Sequence, residues 1–212
     1  RDVSSRKERE RRLEQFASVV SHDLRNPLNV AQGRLDLAAA DCESEHLDAV
    51  AEAHEQMTAL IEDLLTLARE DVSLSVEPVE LGTVVEEAWA GIDAAAATLS
   101  IDVEGTVAAD PDRLRRLFAN LLRNAVEHAA GPVQIQVGRC QDGVSVADDG
   151  PGIEGDPEAI FDAGYSTAEQ GTGIGLSIVE QIATAHGWSI GVAESEDGGA
   201  RFELKGMDLA SD

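Results

Sequence analysis

A seven-residue repeat of mostly apolar positions between residues 47 and 68 constrains the fold of this 212-residue chain more than any other feature. Charged residues lie between those positions, which is typical of a helix packed along its length against other helices. The repeat consists of Leu47, Val50, His54, Met57, Ile61, Leu64 and Ala68. A preceding helix with one apolar stripe is predicted from about Glu8 to Ala40, and the short DCESE stretch between the two predicts an antiparallel hairpin.

Two helices cannot bury two long apolar stripes against each other without leaving their flanks in water. Pairing with a second copy is the economical solution, so we expect a homodimer in which two hairpins form a four-helix bundle.

Residues 1–12 carry six basic side chains, a pattern typical of either the cytoplasmic flank of a membrane span or the solvated face of a helical linker. No run of 18 apolar residues occurs. We therefore expect a cytoplasmic chain whose only membrane contact would be through an upstream segment.

After Glu70 the pattern changes to short strands alternating with helices, which predicts a sheet with helices on one side. Strands are expected at residues 75–81, 99–103, 106–110, 132–140, 144–148, 189–195 and 200–205. Helices are expected at Gly82–Ala97, from an Asp110 cap to Gly131, and across residues 174–186 up to Gly187. The fold class is therefore α+β, with a linker helix and helical hairpin in residues 1–72 and an α/β sandwich in residues 73–212.

The charge balance limits the partners of the chain. Acidic residues number 41 against 16 basic residues, for a formal net charge of -25, which argues against a nucleic-acid partner. Only Lys7 and Lys205 are lysines. Excess carboxylate with scarce lysine is typical of proteins from high salt, where self-repulsion is screened over about 3 Å at 1 M. The alternative is an acidic protein without that adaptation.

Three motifs in the second half are typical of a nucleotide site. The DDGPGI motif, residues 148–153, follows a predicted strand, where glycines let the backbone approach a flat ligand and the first carboxylate can accept from an exocyclic amine. The GTGIGL motif, residues 171–176, opens a helix whose free amides can face phosphate oxygens. Asn120 and Asn124 share one helix face, and amide oxygens suit Mg²⁺.

Two common nucleotide-binding loops do not fit this sequence. A P-loop needs a lysine directly after a glycine, but Lys7 lies in the charged linker and Lys205 in a final strand. The GTGIG spacing also differs from the dinucleotide fingerprint and does not follow a strand.

Five motifs in order resemble the transmitter core of a sensor histidine kinase. SHDLRNPL (residues 21–28) is similar to the phospho-acceptor box, NLLRNA (120–125) to the asparagine box, DDGPGI and GTGIGL to the glycine boxes, and IFDAGYST (160–167) to the phenylalanine box. The resemblance implies a histidine-phosphotransfer and dimerisation domain followed by a Bergerat-type ATP-binding domain. It also implies ATP and Mg²⁺ as cofactors and a response-regulator receiver domain as partner.

The resemblance implies a role for each residue of the acceptor box. His22 would attack the γ-phosphorus of ATP, Asp23 would orient the ring and accept its proton, and Arg25 would balance developing charge. Asn26 would serve a reverse, phosphatase reaction, and Pro27 would bend the helix.

In the second half the resemblance implies that Asp148 binds the adenine amino group, that Gly150 and Gly152 line the base, and that Asn124 holds Mg²⁺. Phe161 would belong to the lid. The full set of implied nucleotide-binding residues is Asn120, Arg123, Asn124, His128, Asp148, Gly150, Gly152, Phe161, Gly171, Thr172, Gly173, Gly175 and Leu176.

The chain departs from the family pattern at three places. Glu127 stands where many relatives carry a lysine, His128 stands where a tyrosine is common, and AEQ replaces a basic residue in the lid. The change to Glu127 and the change in the lid remove positive charge near phosphate, leaving Arg123 as the nearest candidate to grip the γ-phosphate.

Two alternative functions stay open on the sequence alone: a hydrolysing ATPase of the same nucleotide fold, and a scaffold that binds ATP without catalysis. Hydrolysing relatives carry a glutamate where this chain has Asn120, whose amide cannot accept a proton. Phosphoryl transfer to His22 is therefore the favoured interpretation.

Overall fold

The computed structural model describes residues 28, 30–35, 37–38, 44, 46–47, 50, 54, 57–58, 61, 74–92, 94, 96–129, 131–153, 159–161 and 173–210. The chain divides into two compact units, Arg1–Val72 and Ser73–Asp212.

In the first unit, the described residues between 28 and 38 are helical, and so are those between 46 and 61. The two helical stretches meet where Nδ1 of His54 lies 3.0 Å from Oε1 of Gln32. His54 and Ile61 are each 6% exposed, whereas Val50 and Met57 are 53% and 44% exposed. The single stripe expected from the repeat is therefore divided: one set of positions packs within the unit and another faces outward.

The described part of the second unit contains two sheets and three α-helices. The strands are β1 Glu77–Glu80, β2 Ala97–Asp102, β3 Thr106–Ala109, β4 Val133–Cys140, β5 Gly143–Asp148, β6 Ser189–Glu194 and β7 Ala200–Lys205. The helices are α1 Leu81–Ala90, α2 Pro111–His128 and α3 Gly175–Ala185, with a 3₁₀ turn at Ala159–Phe161.

The main sheet has the order β2-β4-β5-β7-β6. Its β2–β4 pair is parallel and its other pairs are antiparallel. β1 and β3 form a separate antiparallel pair, in which Pro78 costs little because each strand is an edge. This mixture of helices and sheets confirms the predicted α+β class.

The helices form one connected layer, in which α1 packs on α2 and α2 packs on α3. Helix α2 is the centre of this layer and buries a continuous apolar face, with Leu114, Leu117, Phe118, Leu121 and Leu122 at most 1% exposed. It begins at the predicted cap: Oδ1 of Asp110 accepts from the Arg113 N–H at 3.2 Å, and Pro111 follows.

The predicted ends of two helices were wrong. Helix α1 stops at Ala90 rather than Ala97, because Ala97 pairs with Val133 in the parallel β2–β4 ladder. Sheet pairing here overrides the helix preference of an alanine-rich stretch. Helix α2 stops at His128 rather than at Gly131, and its cap residue Ala129 has an extended backbone with ψ 131°.

His186 joins the start of α2 to the end of α3. Its Nε2 accepts from the Asp110 N–H at 3.0 Å, and its Nδ1 lies 2.8 Å from the Ile182 carbonyl. The ring also stacks on Trp188, with 4.4 Å between centroids. Because Nε2 accepts from the Asp110 N–H, Nδ1 is the ring nitrogen that donates to the Ile182 carbonyl in this arrangement.

Candidate functional site

Six of the predicted site residues lie outside the described residues. They are His22, Asp23, Arg25 and Asn26 of the acceptor box, and Gly171 and Thr172 of the second glycine motif. The site described below is the part that the second unit contributes.

Asp148 ends strand β5, and backbone amides hold its carboxylate in place. Its Oδ1 accepts from the Gly150 N–H at 2.9 Å and from the Ala200 N–H at 3.1 Å. Its Oδ2 has no hydrogen bond with any residue that the structure describes. The carboxylate is thus anchored through one oxygen and presents the other as an acceptor.

The glycines around Asp148 are needed because the backbone comes close. A Cβ on Gly150 would lie 2.9 Å from Oδ1 of Asp148, and Gly152 has a φ of +76° with the Gly198 carbonyl 3.2 Å from the place of its Cβ. Asp149, the second carboxylate of the motif, instead accepts from the Gln134 N–H at 2.7 Å and closes the end of the sheet. The two adjacent carboxylates therefore have different roles.

Sequence reasoning missed two residues at this place, Ser195 and Gly199 in the turn between β6 and β7. A Cβ on Gly199 would collide with two atoms of Asp148, its backbone carbonyl oxygen and its carboxylate Oδ1. The Ser195 hydroxyl donates to that same carbonyl at 2.6 Å. The two adjacent glycines of the SEDGG turn were the sequence signal available for this contact, because a turn between two strands does not need both of them.

Helix α2 carries four predicted site residues on its C-terminal half. Asn120 is 9% exposed and its Nδ2 donates to the Arg116 carbonyl at 3.0 Å, which fixes the amide. Asn124, Arg123 and His128 are half-buried. The Asn124 amide makes no hydrogen bond with the described residues, so its oxygen is open to a ligand.

The start of α3 lies close to Asn120. A Cβ added to Gly175 would be only 3.1 Å from Oδ1 of Asn120. Gly173, with φ +65°, turns the chain into the helix. The cap residue Ile174 makes no side-chain hydrogen bond to the first turn of α3. That turn includes Leu176 and contains no acidic residue. Neither the cap position nor the first turn of α3 thus supplies an anion to its first amides.

Phe161, the predicted lid residue, is 9% exposed in the 3₁₀ turn Ala159–Phe161. That turn packs against α3. The aromatic ring is therefore part of the core beside the helix that carries the second glycine motif.

A purine nucleotide fits these features. The Oδ2 of Asp148, which has no hydrogen bond to the described residues, can accept from an exocyclic amine, the glycines keep side chains away from a flat ring, and the start of α3 can receive phosphate oxygens. Mg²⁺ beside those phosphates would find one protein ligand in the Asn124 amide oxygen.

Two protein-family models match the chain. Residues 12–72 match the family model described as the His Kinase A (phospho-acceptor) domain. Residues 109–210 match the model described as histidine kinase-, DNA gyrase B-, and HSP90-like ATPase. The two matches in this order define a histidine kinase transmitter core, and the chain belongs to that family. The resemblance stated from the motifs is confirmed.

Curated relatives are sensor kinases. The chain is 34% identical over 220 residues to the sensor histidine kinase ZraS of Klebsiella oxytoca, covering 95% of this chain and 47% of that protein. It is 31% identical over 229 residues to the signal transduction histidine-protein kinase AtoS of Escherichia coli K12, covering 96% and 38%. The chain thus spans about half the length, or less, of these relatives.

Solved structures of similar fold include full-length ShkA in complex with AMPPNP, with a TM-score of 0.70 and 28% identity over 93% of this chain and 47% of that one. The Acinetobacter baumannii histidine kinase AdeS gives a TM-score of 0.61 and 25% identity, covering 90% of this chain and 98% of that one. Within the described residues, no helix combines the length and apolarity that crossing a membrane requires.

Proposed function

We propose that this chain is an ATP-dependent histidine autokinase that passes its phosphoryl group to an aspartate of a response-regulator receiver domain. The observation that carries the proposal is the pairing of a phospho-acceptor domain with a nucleotide-type site in which one Asp148 carboxylate oxygen has no hydrogen bond to the described residues. A solved relative of the same fold is a complex with AMPPNP, an ATP analogue.

In this proposal the residues of the second unit bind and orient ATP. Asp148 accepts from the adenine amino group, Gly150 and Gly152 keep the base face clear, and the start of α3 receives the phosphates. Asn124 holds Mg²⁺, which neutralises phosphate charge. Arg123 is the nearest cation for the γ-phosphate.

The chemistry belongs to the acceptor box. A ring nitrogen of His22 attacks the γ-phosphorus, a nitrogen–phosphorus bond forms, and the bond to the bridging oxygen breaks to release ADP. Asp23 accepts the proton from the other ring nitrogen, and Arg25 balances charge. Asn26 is assigned to the reverse, phosphatase reaction.

ATP labelled at the γ-phosphate tests this function. Wild-type protein in molar KCl should acquire acid-labile label, and His22→Gln should lose it. His46→Gln is a matched control, since His46 is an exposed histidine of the same unit. Free phosphate without protein label would support the hydrolysing ATPase instead, and binding without turnover would support the scaffold.

We also propose a homodimer through the first unit. Val30 and Leu37 are 65% and 66% exposed and seven residues apart, and Val50 and Met57 repeat that spacing. Two outward apolar stripes at heptad spacing favour a four-helix bundle with a second copy. Met57→Glu should lower the dimer fraction in sedimentation, whereas Val76→Glu, at an exposed apolar residue of the second unit, should not.

The acidic composition supports a third proposal, adaptation to a cytoplasm of high salt. At a net charge of -25 the folded chain repels itself, and salt screens that repulsion. The unfolding temperature should rise between 0.1 and 2 M KCl. A temperature that stays level would contradict the adaptation.

A further inference from the structure

The turn between β6 and β7 is tied to Asp148 by one buried serine. Ser195 is 8% exposed. Its hydroxyl donates to the Asp148 carbonyl at 2.6 Å and accepts from the Gly199 N–H at 3.0 Å. Both hydrogen-bonding directions of the hydroxyl are therefore used to join the turn to the end of β5.

The same serine closes the turn on itself. Its N–H donates to the Gly199 carbonyl at 2.8 Å, and its carbonyl accepts from the Gly198 N–H at 3.1 Å. Gly199 is pressed against Asp148 so closely that any side chain there would collide with it. The next residue, Ala200, then donates its N–H to Oδ1 of Asp148. The position of that donor thus depends on the turn that Ser195 holds.

We propose that Ser195 is a positioning residue that fixes the Asp148 carboxylate and thereby sets the preference for adenine over guanine nucleotides. This inference rests on the proposed nucleotide site. A carboxylate oxygen in a fixed place accepts from the amine of adenine but meets a carbonyl oxygen in guanine, and it cannot move to relieve that repulsion. A carboxylate that loses the Ala200 donor is held by the Gly150 N–H alone and rotates more readily, so discrimination falls.

The test measures dissociation constants for ADP and GDP by titration calorimetry on the whole chain. In Ser195→Ala, ADP affinity should fall about tenfold, because the amine loses a fixed acceptor, while GDP affinity should stay level or rise, because the repulsion of its carbonyl oxygen is relieved. Ser195→Thr retains the hydroxyl and should recover most of the preference. The unfolding temperature of each variant shows that it is folded.

Ser145→Ala is the matched control. Ser145 is a 4% exposed serine three residues before Asp148 on β5, and its hydroxyl makes no hydrogen bond to Asp148. Its loss should leave the ratio of the two dissociation constants unchanged. A general weakening of the fold would lower affinity for both nucleotides together, so the ratio separates positioning from simple stability.

Two results would overturn the inference in distinguishable ways. If wild-type protein prefers ADP and Ser195→Ala keeps that preference, the positioning role is wrong and the proposed nucleotide site stands. If wild-type protein binds neither nucleotide, the proposed function fails and this inference fails with it.

Discussion

The starts of helices α2 and α3 differ in where their amides find an anion. Helix α2 supplies its own: the Asp110 carboxylate accepts from the Arg113 N–H, and Asp112 lies in the first turn. Helix α3 starts at Gly175, after the cap residue Ile174, without a side-chain cap and without an acidic residue in its first turn. Since a positive helix end attracts anions, the difference fits the proposed roles, in which the start of α2 serves stability and the start of α3 receives phosphate.

Placing a carboxylate in the first turn of α3 should remove the difference between the starts of α2 and α3, and we expect the largest effect on ATP affinity from this change. We expect Ser177→Glu to weaken ATP binding about 30-fold, because two like charges about 8 Å apart at an effective dielectric of about 20 repel each other by about 2 kcal/mol, and the variant would place a carboxylate at the proposed phosphate end of the helix. Ser177→Ala is the control, because it removes only the hydroxyl bond to the Ile174 carbonyl. Titration calorimetry in fixed salt measures both, and equal affinities would show that phosphate binds elsewhere.

Removing the cap of α2 should instead affect stability. Asp110→Ala loses the bond to Arg113 and a second bond, in which Oδ2 accepts from the Ser75 N–H at 3.0 Å. We expect a loss of about 1.5 kcal/mol in the free energy of unfolding, measured by urea denaturation. ATP affinity should change less than about twofold, and a larger change would mean that the start of α2 also serves the ligand.

A third variant tests the imidazole acceptor behind that cap. His186→Phe retains a ring to stack on Trp188 but leaves the Asp110 N–H without its acceptor. We expect a loss of about 1 kcal/mol in unfolding free energy. In the double variant with Asp110→Ala, the loss of unfolding free energy should be less than the sum of the two single-variant losses, because both substitutions act on the start of α2.

The start of α2 was predictable from sequence, whereas the network around Asp148 was not. Asp110 and Pro111 are adjacent, so the cap signal is local. Ser195 reaches Asp148 across 47 positions, and no periodicity or turn pattern reports such a contact. The division of the heptad repeat into buried His54 and exposed Val50 has the same cause, because a stripe shows that a face is apolar but not what covers it.

The start of α1 provides the smallest test, as a capped helix end with no predicted ligand. Hydrogen bonds from the Thr83 hydroxyl and its N–H lower the pKa of the Glu80 carboxyl below its ordinary value of 4.5. A lowered pKa in the folded state adds stability that is present above the unfolded-state pKa and is lost as pH falls through the folded-state value. Glu80 is exposed, so we expect its share to stay below about 0.5 kcal/mol. Urea midpoints from pH 6 to pH 3 should therefore fall slightly less in Glu80→Gln than in wild-type protein, and a matching or steeper fall in the variant would show that this cap adds nothing.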